Sequence, residues 1–124
     1  MARSSRESLD ISLLFLAMSA ADGKLLKDEM FISEKCALDY GIKSDQWEKT
    51  LNRAFMIYFN EGDRAVSGAI GRLKLSLSNQ VRKELAEDLL AVALVDENYH
   101  DREKALLKKI VEHWEIDMPH DEGL

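Results

Sequence analysis

Apolar residues recur along most of the chain at the spacing of one face of an α-helix. Trp47, Leu51, Ala54, Phe55 and Tyr58 step as i, i+4, i+7, i+8 and i+11. Val66, Ile70, Leu73 and Leu77 form a second stripe, and Val81, Leu85, Leu89, Val92 and Ala93 a third. Ile110, Val111 and Trp114 follow. Near the start the pattern changes, because the run from Ile11 to Ala21 is almost continuously apolar. Polar or glycine breaks fall at Asp22-Gly23, Gly41, Glu61-Gly62-Asp63, Ser76 to Asn79, and Asp96 to His100. This alternation predicts an all-α bundle of about six to seven helices, each of about three to five turns. No Gly/Ser or Pro linker interrupts it, so residues 1–124 are expected to form one domain. The polar tail from Asp117, which contains Pro119, is expected to fray.

The first apolar run imitates a secretory leader, since Arg3 and Arg6 precede it and small residues end it. Glu7 and Asp10 lie between the basic residues and most of that run, and the run has a counterpart inside the chain. It is also short for a membrane span. It therefore reads as a buried first helix of a protein that is not integral to a membrane.

The counterpart lies 74 residues downstream, where Asp22 falls on Asp96, Leu25 on Tyr99, Glu29 on Glu103 and Ile42 on Ile116. Ala17 falls on Ala91. Each copy joins an apolar helix end, an Asp turn, a Glu at the third position of the next helix and a closing Ile. Two similar helix-turn-helix units are expected, with approximate two-fold symmetry.

The stretch Ala20-Ala21-Asp22-Gly23, ending at Asp28-Glu29, looks like the second half of a calcium loop. An EF-hand loop has its Gly at position six and a bidentate Glu at position twelve, which Gly23 and Glu29 would satisfy. Positions one and three would then be Met18 and Ala20, and in the second copy Val92 and Leu94. None of these side chains can ligate a hard cation, so a conventional EF-hand is excluded. A structural role accounts for the same residues. Gly23 can take positive φ in a tight turn, and Glu29 and Glu103 can face the free N–H groups of a helix start. The functional alternative is that Asp22, Asp28, Glu29, Asp96, Glu97, Asp101 and Glu103 crowd one surface. Such carboxylates repel one another unless a cation neutralises them, and water would complete a loosely held divalent ion.

These residues carry a resemblance. A helix, Ala-Ala-Asp-Gly, an apolar residue and a Glu opening the next helix, repeated later in the chain, resembles the TerB-like family over about Ser8 to Ile116. In the second copy, Val95-Asp96-Glu97-Asn98, Glu97 stands where the family usually has Gly. The Pro often found just before the helix Glu is absent from both copies, where Lys27 and Asp101 occur in its vicinity. The resemblance implies a compact all-α domain associated with tellurite-resistance gene clusters and bacterial stress responses. It also implies an acidic patch suggested to bind metal ions, and it implies no enzymatic reaction.

Composition narrows the remaining possibilities. The net charge is −6, so a global phosphate-binding surface is absent and no nucleic-acid partner is expected. The single cysteine, Cys36, forms no internal disulfide and no cysteine-cluster zinc site, and a cytoplasmic setting fits. It reads as a core filler. A metal site from His113, Glu115 and His120 matches no ligand spacing, and these residues read as solvated. Arg53, Arg64, Arg72, Lys74, Arg82 and Lys83 form a modest basic group that reads as solubilising charge or as a dock for an acidic partner. Gly62, Gly68 and Gly71 lack the context of a phosphate loop. Trp47, Phe55, Tyr58 and Phe59 fit a helix core with one exposed edge. The expected function is a non-enzymatic stress-related module, holding at most a divalent cation and no organic cofactor. The alternative is a protein-interaction scaffold of unknown partner, in which the carboxylates are only caps.

Overall fold

A helix that is apolar on every side is stable only when other elements surround it. The computed structural model describes residues 5–20, 42, 44–94 and 101–117, and the first helix, α1 (Ser5–Ala20), occupies that position. Leu9, Ile11, Leu13 to Ala17 and Met18 are all buried. Around α1 lie α2 (Ser44–Glu61), α3 (Asp63–Ser76), α4 (Asn79–Ala93) and α5 (Asp101–Trp114), and α1 packs against all four. The apolar run that resembles a leader is thus the centre of the core. Among the described residues there are five helices and no strand, and no helix is long and apolar enough to cross a membrane. Residues 21–41, on which a further expected helix and the first Asp turn fall, lie outside the described residues, as do Asp96, Glu97 and the tail beyond Asp117.

Local chemistry sets each described boundary. Gly62 alone separates α2 from α3, with φ at 55° and ψ at −130°. Its N–H donates to the Tyr58 carbonyl at 2.8 Å, closing α2, while its carbonyl accepts from Ala65 and opens α3. Only glycine takes that φ without strain. Between α3 and α4, Leu77 plugs the core and Ser78 caps the next helix, its Oγ accepting from the Val81 N–H at 3.2 Å. After α5, Glu115 adopts a φ of 57°, Ile116 N–H donates to Val111 O, and Glu115 N–H donates to Glu112 O. This is a Schellman closure, and Ile116 packs against the core beyond it.

The two halves of the sequence repeat are not buried alike. Ile42 is buried and Ile116 is half-buried against the core, so both closing isoleucines point inward. Ala17 is buried, however, whereas its counterpart Ala91 is exposed. The helix α1 is surrounded, while α4 buries one face through Leu85, Ala86, Leu89, Val92 and Ala93.

Two polar contacts tie the bundle together. Trp114 donates its indole N–H to the Ile70 carbonyl at 2.9 Å, locking α5 onto α3. Asp10, 2% exposed on α1, accepts from Arg72 on α3 through both carboxylate oxygens, at 3.0 Å and 2.9 Å. Nearby, the buried Ser12 hydroxyl donates to the Ser8 carbonyl one turn back.

Candidate functional site

The helix α5 begins with two of the expected carboxylates. Asp101 is exposed at its first residue, and Glu103, two residues on, is 1% exposed. They diverge because residues two apart on a helix lie on opposite sides. Glu103 sits in the first turn, where free backbone N–H groups and the helix dipole favour a carboxylate. The acidic patch expected on one surface is therefore not formed by these two together, since one faces solvent and the other the interior. Asp22, Asp28, Glu29, Asp96 and Glu97 lie outside the described residues. Among the described residues, no group of three or more His, Cys, Asp or Glu side chains converges on a metal position.

Cations lie close to this turn. Arg102, between the two carboxylates, lines a cleft of about 400 Å³ with Asp63, Tyr58 and Lys109. The start of α5 thus faces the α2–α3 junction. Lys109 also donates to the Ser67 hydroxyl at 2.6 Å, joining α5 to α3.

The basic group divides. Arg53, Arg64 and Lys83 are exposed, Arg82 is half-buried, and Lys74 pairs with Glu115 at 3.5 Å. Arg72 is the anchored member. Its hydrogen bonds to Asp10 hold its pKa above the ordinary guanidinium value, against the opposing effect of burial and with help from the negative charges of Asp10 and Glu61. Sequence reasoning missed this pair. The available sign was a carboxylate, Asp10, embedded among Leu9, Ile11, Leu13 and Leu14, which burial obliges to find a cationic partner.

The aromatic residues also divide. Trp47 is buried and Tyr58 half-buried, but Phe55, Met56 and Phe59 are 40%, 67% and 85% exposed on α2. With Asn60 they border a shallow hollow. Phe55 is therefore not part of the core that its stripe predicts. The helix α2 packs mainly against α1 and α3, and its apolar arc is wider than those neighbours cover. His113 is exposed, while His100, His120 and Cys36 lie outside the described residues.

A central apolar helix wrapped by amphipathic ones, with acidic residues in the first turn of the last, makes an all-α domain. The family described as tellurite resistance protein TerB matches residues 8–120, and the chain belongs to that family. Its fold is similar to the crystal structure of a protein of unknown function from Porphyromonas gingivalis, with a TM-score of 0.69 and 25% identity over 96% of this chain and 84% of that one. No curated protein matches the chain.

Proposed function

We propose that the protein is a non-enzymatic, tellurite-resistance-related module whose acidic turns hold a divalent cation weakly. Family membership supports the tellurite-resistance-related part of that reading. The observation carrying the cation-binding part is the opening turn of α5, which anchors one carboxylate inside the fold and presents another to solvent within three residues. In this reading Glu103 fixes the turn and Asp101 faces the ion. Asp96 and Glu97 complete the second turn, and Asp22, Asp28 and Glu29 contribute from the first. Water fills the remaining positions, as a hard cation with few protein ligands requires.

The test is a titration of metal-free protein with calcium, magnesium, manganese and zinc, followed by backbone amide NMR. It is repeated on Asp22→Ala, Asp96→Ala and Asp101→Asn. Saturable shifts confined to residues 22–29 and 96–103, lost in the variants, support the reading. Silence at about 10 mM metal, corresponding to binding weaker than about −3 kcal/mol, removes it.

A second reading has its own observation. The exposed trio Phe55, Met56 and Phe59 is the kind of surface a protein-interaction scaffold presents. Under that reading Glu103 is only a cap, and replacing Phe59 by Ser abolishes capture of a partner while leaving the fold intact.

A further inference from the structure

The helices α1, α2 and α3 meet around a second cleft, of about 260 Å³, distinct from the acidic turn. Leu9, Leu13, Ile57 and Ala65 contribute its apolar lining. Its charged lining comprises three guanidinium groups, on Arg6, Arg64 and Arg72, against the two carboxylates of Asp10 and Glu61. The cleft is thus locally cationic in a chain of net charge −6.

The arrangement follows from the register of α3. Arg64, Gly68 and Arg72 are spaced at i, i+4 and i+8 and share one face of the helix. A Cβ at Gly68 would lie 3.1 Å from Nη1 of Arg72. The missing side chain therefore lets the guanidinium lie along the helix, over the residue that lines the cleft. Asp10 holds Arg72 by Nε and Nη2, which leaves the Nη1 edge beside Gly68. Arg64 forms no ion pair among the described residues. An anchored guanidinium loses little freedom on binding an anion.

We propose that this cleft binds a small ligand carrying an anionic oxygen group beside a hydroxyl, with Arg72 as the anchored contact and Arg64 as the second. The hydroxyl is specified by Glu61, which lines the same cleft and can only accept a hydrogen bond when ionised. A protonated inorganic oxyanion and a hydroxycarboxylate share this chemistry. The cleft volume, about 260 Å³, admits either and is too small to enclose a macromolecular chain.

The full chain is titrated with phosphate, tellurite and citrate at constant ionic strength balanced with chloride, by amide NMR and calorimetry. The expected result is a saturable response in residues 6–13, 57–61 and 64–72 to at least one probe. Response to citrate alone identifies a hydroxycarboxylate, and response to phosphate or tellurite an inorganic oxyanion. Arg64→Gln, at an exposed position that makes no ion pair among the described residues, weakens binding by about tenfold or more, whereas Lys83→Gln leaves it unchanged. Gly68→Ala, whose Cβ would press on Nη1 of Arg72 at 3.1 Å, is expected to weaken it as well. The proposal is overturned if no probe saturates by about 20 mM, if Arg64→Gln binds as tightly as the parent, or if the shifts spread over all basic residues and disappear with added salt.

Discussion

Arg72 on α3 grips Asp10 on α1 with two parallel hydrogen bonds, from Nε to Oδ2 at 3.0 Å and from Nη2 to Oδ1 at 2.9 Å. Arg6, one turn before Asp10, adds a looser contact at 3.8 Å. The carboxylate side chain is 3% exposed and that of Arg72 42% exposed, so the pair is buried at one end and wet at the other. Among the described residues, removing the arginine would leave the buried carboxylate paired with Arg6 alone. Arg72→Met is expected to lower stability by about 2–3 kcal/mol in urea unfolding at neutral pH, less than a fully buried pair because water reaches one partner. The double variant Asp10→Leu with Arg72→Met is expected to lie within about 1 kcal/mol of the parent, since it leaves no orphaned charge. The arginine's folded pKa is raised, so its contribution is complete below its unfolded pKa and is lost only as pH rises through the folded one. The gap between parent and Arg72→Met should therefore stay flat from neutral into mildly alkaline pH.

Gly62 is the whole connection between α2 and α3. An added Cβ would meet nothing within 4 Å, so space does not restrict the position. Its positive φ does. Gly62→Ala is expected to destabilise by about 1–2 kcal/mol, read as a lower Tm with an unchanged far-ultraviolet spectrum.

Trp114 is 1% exposed and donates to the Ile70 carbonyl. Trp114→Phe keeps an aromatic ring but loses that hydrogen bond and part of the ring volume. A loss of about 2 kcal/mol in denaturant unfolding is expected, with loosened hydrogen-exchange protection where α5 meets α3.

The two carboxylates that open α5 should separate by assay. Glu103→Ala is expected to lower stability by about 1–2 kcal/mol, the value of a lost helix-start carboxylate with some buried contact. Asp101→Asn is expected to change stability by less than about 0.5 kcal/mol while reducing any divalent-cation response. A cation response that depends on Glu103 alone would contradict the assignment of Asp101 to the ion.

The helices α3, α4 and α5 were legible as stripes because each buries one face, and a one-sided helix writes its period into the sequence. Val66, Ile70, Leu73, Leu85, Leu89, Ile110 and Trp114 all reach the core as the spacing implied. The stripe in α2 was legible but too wide, because neither Phe55 nor its neighbours reveal how much of the arc other helices cover. The helix α1 has no period to read. Its apolar run announced burial, and the resemblance to a leader was a consequence of the same hydrophobicity.

The candidate site was less legible than the fold. The spacing of Asp101 and Glu103 placed both at the start of a helix, but not on which side of it each points. Gly68 was read only as a glycine outside any phosphate loop. Its use, a gap across which Arg72 reaches Asp10, depends on a contact spanning 62 residues of sequence.

By itself the sequence determined the all-α class, the glycine break at Gly62 and membership of a family, because hydrophobic period and glycine conformation act within a few residues. Tertiary structure alone decided that α1 is the hub, that Asp10 belongs to Arg72, and that Phe59 faces water while Glu103 does not. Those outcomes depend on which surfaces meet, and burial is a property of the neighbours a residue acquires rather than of the residue.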